Sequence, residues 1–356
     1  MNRPSIEQLQ QDSLMLLQAL IQTPSLSREE GQTAQLIEEF LTARSIANER
    51  VGNNVIAYNQ FFDVSKPTIL LNSHHDTVKP NPGYTRDPFH AELLDGKLYG
   101  LGSNDAGGCL VALIAAFCHY YQDQNLAYNL CLIASAEEEV SGKNGIEAAY
   151  AAITDCEFAI VGEPTLLDLA IAEKGLMVLD CVAHGESGHA AREEGINAIY
   201  KALEDIAWFS KYKFPKESTF LGPVKMSVTM VNAGSQHNVV PAECHYVVDV
   251  RTTDVYSNAE ILEIIRAQVK SDVTPRSTRL NSSTIAMHHP VVKAGIKLGK
   301  NTYGSPTMSD QALLPIPSLK VGPGHSARSH SADEFIYVAE INDGIAFYIQ
   351  LLKEIL

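Results

Sequence analysis

Paired cysteines, long apolar runs and basic charge are all scarce in this sequence. Its six cysteines, Cys109, Cys118, Cys131, Cys156, Cys181 and Cys244, are scattered, and none forms a Cys-x-x-Cys pair. Several stand in apolar stretches such as Leu130-Cys131-Leu132-Ile133, where a thiol serves as a small buried hydrophobe. That usage excludes a disulfide framework and fits a reducing compartment, so a cytoplasmic location is expected. No apolar run approaches the roughly 20 residues that span a bilayer. The polar stretch 1–13, with charges of both signs, does not read as a secretory signal. Lys and Arg number 27 against 42 Asp and Glu, a net charge of −15 that disfavours nucleic acid or an anionic membrane as partner. The same balance suits cations and substrates that carry an amine.

What is present is an ordinary globular composition over 356 residues, long enough for two domains. Ile6 to Ile21 shows helix-period apolar positions. Ser27 with Glu30 three residues later predicts a capping box for a second helix through Leu41. Asn54 to Tyr58, Thr68 to Asn72, Leu130 to Ala134 and Phe158 to Val161 read as short strands, and Cys109 to Tyr121 as a buried helix. Buried strands that run into polar loops, with helices between, predict an α/β sheet whose site lies at the carboxyl ends of its strands. The ligand candidates before Pro164 are all expected at such ends. The middle third differs. Met177 to Ala183, Val224 to Val231 and Cys244 to Val250 read as strands, and Ile196 to Phe209 and Asn258 to Val269 as helices. This predicts a smaller α+β unit inserted into the larger domain, with 1–173 and 289–356 forming one domain and 174–288 the other.

Five polar segments carry chemistry. His74-x-Asp76 follows a strand, and a carboxylate there can hold one ring N–H while the other nitrogen binds a metal. Its neighbour His75 competes for that role. Asp105 lies in Gly102-Ser103-Asn104-Asp105-Ala106-Gly107-Gly108. It is either a helix cap or a carboxylate whose two oxygens bridge two metals about 3.5–4 Å apart. Glu137-Glu138-Glu139 emerges from a buried strand, where three adjacent carboxylates repel one another unless neutralised. Glu163 repeats the pattern at the next strand end. His330 sits in Ser329-His330-Ser331-Ala332-Asp333-Glu334, with His325 close by and Asp333 or Glu334 available to start a helix near Tyr337. Each segment alone also reads as a turn or a solvated acidic loop.

In order, the segments His-x-Asp, Gly-x-Gly-x-x-Asp, Glu-Glu-Glu, Gly-Glu-Pro-Thr and Ser-His-Ser-x-Asp-Glu resemble the metal-site motifs of the zinc-dependent aminoacylase and carboxypeptidase family. That family includes acetylornithine deacetylases, succinyl-diaminopimelate desuccinylases and several peptidases, and the resemblance spans nearly the whole chain. It implies a mixed-sheet zinc-hydrolase catalytic domain with an inserted α+β lid and dimerisation domain, and two zinc ions per chain, with cobalt a possible substitute. His74 and Glu163 would hold one ion and Glu139 and His330 the other, with Asp105 bridging. Asp76 would orient the histidine. Glu138 would act as general base, taking a proton from water and passing it to the leaving amine. The run Ala136 to Val140 matches the family's Ala-Asp-Glu-Glu-Val and selects this register among the three glutamates.

The resemblance extends into the insertion. Gly185-Glu186-Ser187-Gly188-His189 matches the segment whose histidine stabilises the oxyanion, and in the family that histidine can come from the partner of a homodimer. Asn238, Arg251 and Gly324 match substrate-contacting positions; an arginine suits a carboxylate because its planar fork binds bidentately. Two departures stand out. Asp105-Ala106-Gly107-Gly108 replaces the common Asp-Met-Lys-Gly, and only Thr307-Met308-Ser309-Asp310 stands where the family has Gly-Thr-Ser-Asp. The implied reaction is hydrolysis of an Nα-acyl amino acid, with N-acetylornithine in arginine biosynthesis the first expectation. The rivals are N-succinylornithine or N-succinyl-diaminopimelate, a dipeptide, and an inactive amino-acid-binding protein. Arg276 and Arg279 would favour a dicarboxylic substrate if they faced the site.

Overall fold

The computed structural model describes residues 3–356. The first two residues of the expected 1–173 domain, and of the polar 1–13 stretch, lie outside the described residues. The chain divides into two compact units. One runs to Ile171 and resumes over Thr284–Tyr303 and Ser309–Leu356; the other comprises Ala172–Ser283 and Gly304–Met308. The short return over Gly304–Met308 is a feature that the division at 174 and 288 lacks.

The first unit is built on a mixed sheet. Its strands run in the order Asn48–Val51, Asn54–Tyr58, Asn129–Ser135, Thr68–His74, Phe158–Val161 and Ser318–Lys320, followed by Leu169–Glu173. Thr68–His74 is parallel to both neighbours, and Ser318–Lys320 is parallel to Phe158–Val161. His74 pairs with Ser135, and Asn72 with Val161. The register therefore brings four carboxyl ends to one edge of the sheet. These strands are buried on both faces, which is why they read as continuous apolar runs rather than alternating ones. The helix Gly108–Tyr120 is apolar all round and almost wholly buried, as expected of a helix inside the core. It packs against the helices Ile6–Ile21 and Val338–Lys353. All six cysteines are buried and free. Among the described residues no helix is long and apolar enough to cross a membrane.

Two local expectations are overturned. The second helix spans Gly31–Ala43 with Glu30 at its cap position, and no side-chain cap forms. Ser27 instead donates to Asp76 at 2.6 Å, and the buried Glu30 carboxylate accepts the Arg28 and Glu137 N–H groups and the Asn53 amide. Both residues of the expected capping box are thus drawn away by longer-range partners. Asp105 does not end a sheet strand. It lies in the tight turn Ser103–Gly107 that leads into the buried helix, and it caps nothing, because Gly107 holds the cap position.

The second unit has an antiparallel sheet in the order Lys225–Ala233, Glu243–Thr252, Gly175–His184 and Asp272–Pro275. Gly175–His184 and Glu243–Thr252 alternate buried and more exposed residues, the signature of a sheet covered on one face. Met177, Leu179, Cys181, Tyr246, Val248 and Val250 form that buried face with residues of the helices Ala198–Lys211 and Asn258–Gln268. Here a capping box does form: Ser257 and Glu260 exchange hydrogen bonds at the start of the second of these helices. The mixed α/β main unit with a smaller α+β unit agrees with the fold class expected from the sequence.

Candidate metal centre

Three parallel strands, one tight turn and the loop that carries His330 deliver the polar residues. His74 is the last residue of its strand and is buried. Its Nδ1 lies 3.0 Å from the Asp76 carbonyl oxygen and 3.4 Å from the Asp76 carboxylate. Donation from Nδ1 turns Nε2 towards the centre, where Asp105 Oδ1 lies at 3.3 Å, Glu163 Oε1 at 3.6 Å and Glu138 Oε2 at 3.9 Å. The other oxygen of Asp105 faces His330 Nε2 at 3.6 Å, and His330 Nε2 lies 3.0 Å from Glu139 Oε2. The result is two histidine–glutamate sets on opposite sides of Asp105. One donor atom from each of His74, Asp105 and Glu139 lies within 4.8 Å of the others.

His75 is kept out of this centre. Its Nε2 reaches the Asn53 carbonyl and its Nδ1 the Thr33 hydroxyl, each at 2.9 Å, and burial pulls its pKa down to about 4. It is a neutral, fully bonded ring. His325 is likewise occupied: its Nδ1 accepts from Ala327 N–H at 2.9 Å.

The register of the three glutamates follows from their backbone. Glu137 adopts a left-handed conformation, φ +55°, and its side chain turns to Asn144. All three N–H groups of the turn meet carboxylates. Glu30 takes that of Glu137, and Asp76 takes those of Glu138 and Glu139. Fixing the backbone in this way sends the side chains of Glu138 and Glu139 into the centre. A second clamp holds the other side. Glu334, 1% exposed, accepts the Asn104 and Asp105 N–H groups at 2.8 and 3.0 Å and so ties the His330 loop to the Asp105 turn. Asp333 binds the N–H groups of Thr85 and Arg86. The helix near Tyr337 thus starts without either acid.

Electrostatically the centre is overloaded with carboxylates. Burial, then repulsion from Asp105, pushes Glu163 up to about 8; burial raises Glu138 well above the usual carboxyl range, and Glu139 is raised as well. Burial opposes charge on His74, but Asp105, Asp76, Glu138 and Glu163 outweigh it and raise its pKa. The hydrogen bond to Glu139 raises His330 to about 9. Imidazole nitrogens and carboxylate oxygens are zinc's ordinary ligands, and two cations would neutralise this excess of anions. The residues present fit a two-metal site.

The remaining expected contacts fall into two groups. Gly324 is in the first unit with φ +85°, and a Cβ there would lie 2.5 Å from Asn104 Oδ1. Asn104 in turn accepts the His325 N–H at 3.0 Å, locking the Gly322–Gly324 turn to the Asp105 turn. The missing lysine of the Asp-Met-Lys-Gly pattern also has a packing reason. A Cβ at Gly107 would lie 2.4 Å from the Gly102 carbonyl oxygen and 2.6 Å from Leu17. His189, Asn238 and Arg251 belong to the second unit. His189 is exposed and pairs with Val239, and the Asn238 carbonyl accepts the Ala190 N–H. Arg251 is bidentate with Asp249 at 2.9 and 3.1 Å, and Arg276 with Asp180 at 2.9 and 2.8 Å. Sequence reasoning missed Glu30, Asn72 and Ser135 as supports of the centre. For Asn72 and Ser135 the available signal was a polar residue at a strand position that burial on both faces should keep apolar; Glu30, at a helix start, carried no such signal.

The buried His74 and four acids at the carboxyl edge of a mixed sheet, faced by the more exposed His330, have the donor set of a metallohydrolase-type centre. The chain belongs to the family described as Peptidase family M20/M25/M40, which matches residues 70–354. It is 28% identical to an acetylornithine deacetylase of Proteus mirabilis, over 95% of both chains. To a succinyl-diaminopimelate desuccinylase of Cereibacter sphaeroides it is 24% identical, over 96% of this chain and 98% of the relative. Its fold is similar to that of a Bacillus subtilis protein described as a dinuclear metal binding peptidase. The TM-score is 0.71, with 17% identity over 97% of this chain and 98% of that one. The chain is therefore an M20-family hydrolase.

Proposed function

We propose that this chain hydrolyses the amide bond of an Nα-acyl amino acid, with N-acetylornithine the favoured substrate and ornithine and acetate the products, as a step of arginine biosynthesis in the cytoplasm. The observation that carries the reading is the pair of histidine–glutamate sets flanking Asp105, with Glu138 beside them. His74 and Glu163 would hold one zinc ion and Glu139 and His330 the other, with Asp105 shared; cobalt is a suitable substitute. Bound there, the ions polarise the scissile carbonyl and lower the pKa of water. Glu138 removes the proton from water and returns it to the departing amine. Asp76 holds Glu138 and Glu139 by their backbones and orients His74.

The second unit serves in this reading as lid and dimerisation domain, and the first as catalytic domain. Its edge strand Lys225–Ala233 exposes Met230 and Val231, and the helix Ala198–Lys211 beside it exposes Tyr200 and Leu203. An open strand edge with exposed apolar side chains suits pairing with a second copy of the chain. His189, from the same chain or its partner, would donate to the oxyanion, a contribution of roughly 3–4 kcal/mol in other hydrolases. Asn238, Arg251 and the Gly324 backbone would contact the substrate.

The acetyl group is supported by the resemblance to the Proteus deacetylase, and the side-chain amine of ornithine suits the net charge of −15. Purified protein supplied with zinc or cobalt is expected to release free amine from N-acetylornithine. Turnover confined to N-succinylornithine, N-succinyl-diaminopimelate or dipeptides overturns the acetyl assignment. Amino-acid binding without any hydrolysis overturns the enzyme reading.

A further inference from the structure

Asp310 is the second residue of the last return of the chain to the first unit, which starts at Ser309, and it begins a short helical turn over Asp310–Leu313. It is 3% exposed, an unusual place for a carboxylate. Two side chains meet one of its oxygens. Ser135 donates its hydroxyl to Oδ2 at 2.6 Å. Asn72, with its amide nitrogen turned to Asp310, donates to the same Oδ2 at 3.1 Å, and its own oxygen accepts the Ser73 N–H at 3.2 Å.

These two donors occupy a particular place. Asn72 stands two residues before His74 on one strand. Ser135 ends the neighbouring strand, pairs in register with His74, and stands three residues before Glu138. Asp310 therefore joins the two strand ends from which His74 and the Glu138–Glu139 turn depart. Burial works against its negative charge and Asp76 adds to that, while the bonds from Ser135 and Asn72 and the nearby His74 favour it; on balance its pKa rises to about 6. A buried carboxylate among other carboxylates is retained at a cost, which asks for a compensating role.

We propose that Asp310 is a positioning residue for His74 and Glu138, acting as the hydrogen-bond acceptor that clamps Asn72 and Ser135 together, and that its charge is dispensable. The inference rests on the hydrolase reading above only for its activity measurement. The partial motif Thr307-Met308-Ser309-Asp310 then has a function on its last residue, whatever the acyl group.

The test compares Asp310→Ala, Asp310→Asn and Ser135→Ala with the wild type in the zinc-loaded, full-length protein. Kinetics use whichever acyl amino acid the wild type hydrolyses, and metal content and cobalt absorption spectra are recorded alongside. Asn keeps an oxygen to accept from Ser135 and Asn72, so Asp310→Asn should hold kcat within about threefold of wild type. Asp310→Ala and Ser135→Ala should lower kcat about 10–100-fold, with KM nearly unchanged and an altered cobalt spectrum, the size of effect typical for residues that orient metal ligands. The two losses should combine to less than their product, because both break one contact. Wild-type kcat and spectrum in Asp310→Ala, or equal damage from Ala and Asn, overturns the proposal. Should Asp310→Ala fail to fold, Ser135→Ala decides alone, since it deletes the 2.6 Å donor and leaves the acid in place. A wild type that hydrolyses nothing defeats the functional reading instead, and the cobalt spectra still test the clamp.

Discussion

Asp76 holds Glu138 by its backbone: Oδ1 of the aspartate accepts the Glu138 N–H at 3.0 Å, while Oδ2 accepts the next N–H, that of Glu139, at 3.2 Å. The Ser27 hydroxyl completes the set at 2.6 Å. Replacing the carboxylate by a methyl group leaves both turn donors without an acceptor, each a loss of about 1–3 kcal/mol. Asp76→Ala is expected to lower kcat about 10–100-fold and to reduce unfolding free energy by about 2–5 kcal/mol. Steady-state kinetics and urea denaturation measure the two effects. Wild-type values in both would show that the turn is held by other means.

Glu138 and Glu139 adjoin in the chain and differ in role. Glu138 Oε2 is 3.9 Å from His74, whereas Glu139 lies against His330. Glu138→Ala is expected to lower kcat at least 100-fold, within the range of about 10²–10⁴ for general acid–base groups, and to retain its metal. Glu139→Ala is expected to lose one ion per chain. Elemental analysis of the two variants beside their activities separates them. Retained activity in Glu138→Ala removes it as the base.

Adjacent histidines make a second such pair. His75 is neutral and bonded to Asn53 and Thr33, while His74 faces the carboxylates. His75→Ala should reduce stability by about 1–3 kcal/mol, through the unpaired carbonyl and hydroxyl, with metal content unchanged. His74→Ala should lose metal. The opposite pattern in elemental analysis would exchange their roles.

Stability against pH distinguishes chelated from zinc-loaded protein. Burial with repulsion from Asp105 raises Glu163 to about 8, burial raises Asp310 to about 6, and the bond to Glu139 raises His330 to about 9. Groups with raised folded-state values hold protons that the unfolded chain has already released. Stability therefore falls as pH rises through this window. Asp76 and Asp105 have lowered values, so their contribution is complete below it, and the lowered His75 works against the fall only up to its ordinary value of 6.5. From pH 5 to pH 8 the Tm of chelator-treated protein should drop by several degrees more than that of the zinc-loaded form. A chelated protein that gains stability over this range contradicts the electrostatic account.

Much of this was legible in the sequence, for identifiable reasons. Strands such as Phe158–Val161 are apolar on both faces and stand out as short runs bounded by polar loops. The helix Ile6–Ile21 shows its period because one side alone is buried. The ligand segments were readable as a constellation because each follows a strand or a glycine turn. What stayed hidden depends on long-range partners. Ser27 and Glu30 have the local pattern of a capping box, yet Asp76 and Glu137 claim them. The register of Glu137-Glu138-Glu139 is set by Glu30 and Asp76, which lie more than 60 residues earlier in the chain. Asn72 and Ser135 show no joint role until the sheet register sets their strands side by side, and Asp310, marked in the sequence only as the end of a partial motif, meets them from a separate turn.

A pair of metal ions sharing Asp105 fixes the stoichiometry at two ions per chain. Elemental analysis of protein purified without chelators and dialysed against trace zinc should find two ions per chain in the wild type. A wild-type value of one or none would contradict the shared two-metal centre.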